Sequence, residues 1–152
     1  MLQTTEHAEN VVEIDRLIRR VSFIVRKRGR DILVNFDITP PQFNALLTLS
    51  DHGSLTMGEL CDHLYLACST ATDLIDRMER NGLIERQRDQ NDRRVIRLKI
   101  TERGQEAIEK VIEARYEYLA GVLAPVSCED KERIVCSLTQ LNSLMTQDPT
   151  KQ

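Results

Sequence analysis

Aromatic side chains make up only 4% of this 152-residue chain, and tryptophan is absent. Stacking platforms for sugars or single-stranded bases are therefore not expected. No apolar run approaches the ~18 residues of a membrane span. The opening MLQTTEHAEN lacks the basic and apolar regions of a secretory leader. A soluble, cytoplasmic chain is expected. The four cysteines, Cys61, Cys68, Cys128 and Cys136, contain no C-x-x-C pair, which argues against a zinc ribbon or a thioredoxin-type centre. In a reducing compartment they should be free thiols. Cys61 is expected to be buried, with Cys128 and Cys136 buried to a lesser degree. The histidines, His7, His52 and His63, are scattered, so neither a metal site nor a cofactor is expected. The chain also lacks a nucleophile elbow, a P-loop, H-E-x-x-H and G-x-G-x-x-G. Cys61 and His63 stand two apart, on different faces of a helix, and cannot form a local dyad. No enzymatic activity is expected.

What the chain does have is unevenly placed charge. The formal net charge is -3, yet residues 16–30 hold seven Arg/Lys and no acid. Residues 31–76 hold seven acids and no Arg/Lys, whereas residues 77–99 hold eight bases against four acids. From residue 101 onward there are six bases and nine acids. Net charge hides two basic patches, so the local pattern is the better guide to partners. Five of the bases fall in the fourteen residues RDQNDRRVIRLKIT, 88–101.

Apolar spacing outlines a mainly helical chain of 152 residues, one domain with a core large enough to need no disulfide. Residues 8–34 read as one long helix. Val11, Ile14, Leu17, Ile18, Val21, Ile24 and Val25 lie within about 140° of its circumference, with most of Arg16, Arg19, Arg20, Arg26, Lys27 and Arg30 opposite. A second helix follows at 39–53, with a Thr39/Gln42 capping box, Pro40 in its first turn and Gly53 at its end. A third, 56–64, opens on a Thr56/Glu59 box. A fourth, about 68–80, buries Ala71, Leu74, Ile75 and Met78 and stops at Asn81-Gly82. Two short helices joined by a tight turn have helix-turn-helix spacing. LIERQR (83–88) and VIRLKI (95–100) read as strands about the turn DQNDRR. A helix from Thr101 to about Val122 carries Ile108, Val111, Ile112, Leu119 and Val122, with Gly121 and Pro125 as breakers. A last helix, capped by Ser127 and Asp130, carries Ile134, Leu138, Leu141 and Met145; the tail TQDPTKQ should fray. The fold class is therefore a winged helix-turn-helix lobe with a two-stranded β-wing, flanked by long N- and C-terminal helices. The flanking stripes exceed what a small lobe can cover. Leaving them in water costs roughly 25 cal/mol per Å², so the terminal helices of two chains are expected to pack as a dimer. That interface would use Val11, Ile14, Leu17, Ile18, Ile134, Leu138, Leu141 and Met145.

LTMGELCDHLYLACSTATDLIDRMERNGLIER followed by DQNDRRVIRLKIT resembles the MarR family of winged-helix transcription regulators. The most specific part is Asp92-x-Arg94-x5-Ile100-Thr101, similar to the family's D-x-R-x5-L-T wing signature with Ile for Leu; NGLIER and TERG also sit where the family has similar stretches. The resemblance spans nearly the whole chain: a lobe at 39–100, its helix-turn-helix about 56–80 and wing about 83–100, and dimerisation helices at 8–34 and 101–146. It implies a homodimer on palindromic double-stranded operator DNA, acting as a repressor and released by a small aromatic or phenolic effector or by thiol modification. Arg94 would enter a minor groove. Asp92 would shape the wing through an ion pair, with Arg93, Arg88 and Arg86 near phosphates. The recognition helix, about Cys68–Arg80, would present Ser69, Thr70, Thr72 and Asp73 to the major groove. Arg77 would contact phosphate or pair with the wing.

Three departures matter. Asp73 stands where many members are basic; it can accept from cytosine N4 but repels phosphate. Ala67 replaces a frequent N-cap Ser, at a cost of roughly 1 kcal/mol. No Cys precedes residue 61, so peroxide sensing through a Cys near the first helix does not carry over. Cys68 falls instead in the first turn of the recognition helix, where the positive end of the helix dipole favours a thiolate. Oxidation there could dislodge the helix from DNA. The alternative function is a winged-helix protein-interaction module without DNA binding, supported by Asp73 and the acid-only span 31–76. A basic wing argues against it. An enzyme built on Cys68 would need a partner base that the sequence does not show.

Overall fold

The computed structural model describes residues 8–147. In chain order the elements are α1 (Glu9–Asn35), α2 (Pro40–His52), β1 (Ser54–Thr56), α3 (Met57–Leu64), α4 (Cys68–Arg80), β2 (Ile84–Arg88), β3 (Ile96–Ile100), α5 (Glu102–Val122) and α6 (Cys128–Thr146). They fall into two compact units, divided within α5 between Arg115 and Tyr116.

The first unit holds the winged lobe. Both capping boxes form. Thr39 Oγ1 accepts from Gln42 N–H at 3.4 Å while Gln42 Oε1 accepts from Thr39 N–H at 3.0 Å. Thr56 and Glu59 repeat the exchange at 3.2 and 2.7 Å. Each box satisfies donors that a helix start otherwise leaves open, so α2 and α3 begin at fixed residues. The core then assembles from the apolar stripe of each element. Leu46 and Leu49 of α2, Leu60 of α3, Ile75 and Met78 of α4, Ile84, Leu98 and Val111 are all essentially inaccessible to solvent.

The sequence reading of a two-stranded wing is incomplete. β1 joins the hairpin, giving an antiparallel sheet of order β1-β3-β2. Leu55 pairs with Leu98, and both are buried. Three residues are too few for an alternation to show, so β1 has no readable period. β2 and β3 pair from Ile84↔Ile100 to Arg88↔Ile96. Burial fades outward along β3: Leu98 is buried, whereas Ile96 is exposed as the hairpin leaves the core.

α5 starts where Thr101 caps it. The Thr101 hydroxyl donates to Gly82 O at 2.6 Å and accepts from Gly104 N–H at 3.1 Å. Gly104 brings the helix backbone against Leu83; a Cβ there would lie 2.2 Å from the Leu83 carbonyl oxygen. Gly121, read as a breaker, lies inside α5, which runs on to Val122.

In the second unit α6 opens on Ser127, whose hydroxyl accepts from Asp130 N–H at 3.1 Å. No residue of α6 is buried. Cys128 and Cys136, expected to be partly buried, are exposed for that reason. The expected fraying of TQDPTKQ falls mostly outside the described residues.

Candidate nucleic-acid interface

The helix-turn-helix is α3, a three-residue turn and α4. Tyr65 makes the turn. It adopts the left-handed region at φ 53° and its residue surface is 96% exposed. Glycine or Asn usually fills such a position, since a β-carbon crowds the following carbonyl. The bonds Tyr65 N–H to Asp62 O, 3.3 Å, and Leu66 N–H to Cys61 O, 3.1 Å, hold it there. α4 then starts at Ala67 without a side-chain cap.

The buried stripe of α4 (Ala71, Ile75, Met78) turns the other face outward. Ser69, Thr70, Thr72, Asp73 and Arg77 are all exposed. Thr72 donates its hydroxyl to Cys68 O at 2.8 Å, so it has lone pairs rather than a proton to offer. Ser69, Thr70, Asp73 and Arg77 line one side of a groove of about 580 Å³ with Thr39 and Gln42 opposite.

The wing tip is a small hydrogen-bonded turn built on two aspartates. Asp89 Oδ1 accepts from the N–H groups of Asn91 and Asp92 at 2.7 and 3.1 Å. Asp92 Oδ1 accepts from Arg94 N–H at 3.0 Å and sits 3.9 Å from Arg94 Nε. The Arg94 side chain is 95% exposed. Arg93 and Arg88 are also exposed.

Arg86 is placed differently from the other arginines of the hairpin. Its side chain is 29% exposed and its two terminal nitrogens are bonded to carboxylates of α4, Asp76 at 2.6 Å and Glu79. The Asp76 carboxylate, with Glu79 behind it, raises the Arg86 pKa further. The ionic link between α4 and the hairpin thus runs through Arg86.

Sequence reasoning also missed a second brace. Arg97 of β3 is bonded to Asp89 and lies 3.8 Å from Glu59 Oε2, joining the wing turn to the start of α3. The Arg97 guanidinium, then the Asn91 and Asp92 amides, hold the Asp89 carboxyl down at about 2. The ordinary value is about 3.9. A depressed carboxyl contributes stability that is complete above its unfolded pKa and is lost as pH falls through its folded one. Thermal melts should therefore decline in the window from about pH 4 to pH 2, and Asp89→Asn should flatten that decline. A variant with the wild-type slope would show that other carboxylates govern the acid limb.

Two pairs meet that are distant in sequence pattern. His52 and His63, read as scattered, stack with ring centroids 4.2 Å apart. The Cys68 thiol lies 2.9 Å from the Cys61 sulfur. Among the described residues no group of three or more His, Cys, Asp or Glu is placed to hold a metal ion.

The sequence profile of the MarR family matches residues 38–96, the lobe just described. The uncharacterized HTH-type transcriptional regulator YsmB of Bacillus subtilis is 42% identical over 142 residues, 93% of this chain and 97% of its own. The chain belongs to the MarR family. The structure of a MarR family protein from Bacillus stearothermophilus superposes with a TM-score of 0.82 at 45% identity, covering 94% of this chain and all of that one. A mutant of S. aureus MepR bound to an oligodeoxyribonucleotide superposes with a TM-score of 0.71 at 25% identity, covering 87% of this chain and 97% of that one. This MarR-family chain is a DNA-binding transcription regulator with a winged helix-turn-helix. No helix among its described residues is long and apolar enough to cross a membrane.

Proposed function

We propose that the protein is a homodimeric repressor that binds palindromic operator DNA and is released by a small-molecule effector or by thiol modification. The carrying observation is the wing tip, where Asp89 and Asp92 tie down the backbone and Arg94 projects its guanidinium into solvent. Such an arginine suits a narrow minor groove. Ser69, Thr70 and Asp73 would read major-groove edges, with Arg77, Arg88 and Arg93 at phosphates. Arg86 serves as a positioning residue that holds α4 against the hairpin, since its nitrogens already face Asp76 and Glu79. Two-fold symmetry would set the recognition helices about 34 Å apart.

An effector site is supported by a cleft of about 500 Å³ between α1, α2 and Arg115. Arg26, Arg30 and Arg115 line it together with Leu33 and Phe43, and the Arg115 guanidinium stands 5.4 Å over the Phe43 ring. Cations beside an aromatic face suit an anionic aromatic or phenolic compound.

The test is a gel shift against the DNA upstream of the protein's own gene across a salt series. Wild type should bind with a steep salt slope. Arg94→Ala should lose about tenfold in affinity and lower the slope by about one. Failure of wild type on this DNA and in a random-sequence selection would favour a protein-interaction module instead.

A further inference from the structure

The turn between α3 and α4 brings together two thiols of unlike character. Cys61 is buried on α3; Cys68 is the first residue of α4 and is exposed. Both are free, with 2.9 Å between the sulfurs. A disulfide bond is about 2.05 Å long, so the sulfurs need to approach by less than about 1 Å. We propose that Cys61 and Cys68 are a modification site, a dithiol that hydroperoxides close to an intramolecular disulfide, and that closure weakens operator binding by displacing the start of α4. The second half rests on the reading of α4 as the recognition helix.

The two thiols divide the work by exposure. Burial, then the neighbouring Cys68 sulfur, pushes the Cys61 thiol up to about 11, so it stays protonated and meets little oxidant. Cys68 is reached first. Its sulfur attacks the O–O bond of the hydroperoxide, giving Cys68 sulfenic acid and releasing the alcohol, or water from hydrogen peroxide. The Cys61 sulfur then attacks the sulfenic sulfur. The S–O bond breaks, and the departing hydroxide leaves as water with the Cys61 proton. Two electrons pass from the sulfur pair to the peroxide, and the product is one S–S bond.

The position of the pair supplies the consequence. Cys61 is held in α3 beside the fully buried Leu60, and its carbonyl accepts from Leu66 N–H within the turn. Cys68 has no cap beneath it and precedes Ser69 and Thr70 directly. Drawing the sulfurs together therefore shifts the less anchored partner, the first turn of α4. Hydrogen bonds to base edges weaken steeply with misalignment.

The chain offers a convenient readout. Residues 31–76 contain no Lys or Arg, so trypsin releases Asp31–Arg77 as one peptide carrying Cys61 and Cys68 and no other cysteine. Reduced full-length protein would be treated with hydrogen peroxide or cumene hydroperoxide, denatured, alkylated and digested. The expected peptide takes up no alkylating agent and is lighter by two hydrogens. Fluorescence anisotropy on operator DNA should show about a tenfold loss of affinity, the size of one mismatched contact, reversed by dithiothreitol. Cys68→Ser should be indifferent to peroxide. Cys61→Ser should stop at a Cys68 sulfenic acid that dimedone traps. The Cys128→Ser/Cys136→Ser double variant should behave as wild type. Two alkylatable thiols after peroxide, a chain-to-chain disulfide on a non-reducing gel, or a closed ring with unchanged DNA affinity would each overturn the proposal. Reduced protein that binds no DNA would overturn the operator reading and the regulatory half with it, while ring closure would still be read from peptide mass.

Discussion

Gly104→Ala will destabilise the protein by about 2–3 kcal/mol, although alanine is the better helix former by about 1 kcal/mol. The two effects oppose each other, and contact distances decide between them. A methyl at Gly104 would lie 2.2 Å from the Leu83 carbonyl oxygen, 2.7 Å from Ile100 Cγ1 and 3.1 Å from the Leu83 carbonyl carbon. The carbonyl cannot retreat freely, because it accepts from Thr101 N–H at 3.1 Å, and Leu83 itself is buried. Relief requires α5 to lift from the hairpin, which would strain the Thr101 cap. The melting temperature should fall by roughly 5–10 °C. Gly58→Ala is the control: it sits in α3 with nothing within 4 Å of its would-be Cβ, and should melt at or above wild type. Equal melting of Gly104→Ala and wild type would mean that α5 does not approach Leu83 this closely.

Ile14→Asp combined with Leu138→Asp will turn the proposed dimer into a monomer and cost about 100-fold or more in affinity for the proposed palindromic operator, as one tethered half-site contact is lost. The apolar stripes of α1 and α6 motivate this. Val11, Ile14 and Leu17 are about half exposed, as are Ile134, Leu138 and Met145. Leu141 and Ile18 are half-buried. Such faces are costly in water, and a second copy of the chain, bringing the same stripes, is the occupant proposed. Light scattering should give wild type twice the 17.5 kDa chain mass and the variant the single mass. Circular dichroism on the variant distinguishes dissociation from unfolding, since the lobe's core includes neither residue. A wild type that is monomeric in solution would end the two-fold operator reading.

Much of the fold was legible from the sequence because its signals are local. A capping box needs two residues three apart, and both Thr39/Gln42 and Thr56/Glu59 form it. A buried stripe needs only helical spacing, and Ala71, Ile75 and Met78 follow it. The wing signature Asp92-x-Arg94 is likewise a short-range device, since the Asp92 carboxylate holds the Arg94 amide two residues on. These features depend on neighbours within one turn, so the chain specifies them before it packs.

What only the tertiary structure decided is which of these pieces touch. Arg86 reads in the sequence as one more basic residue beside Arg88 and Arg93. Packing of α4 against β2 puts Asp76 and Glu79 at its nitrogens and makes it a brace. Arg97 finds Asp89 across the hairpin and Glu59 on α3. β1 exists because β3 offers it an edge. Cys61 and Cys68 stand seven apart with a turn between them, and no helical period spans a turn. Their sulfurs meet because Tyr65 takes a left-handed conformation that folds α4 back on α3. Local preference fixes where elements begin and which face is apolar; the angle at which two faces meet comes from the shared core, and that angle chose the partners of each charged and sulfur-bearing side chain.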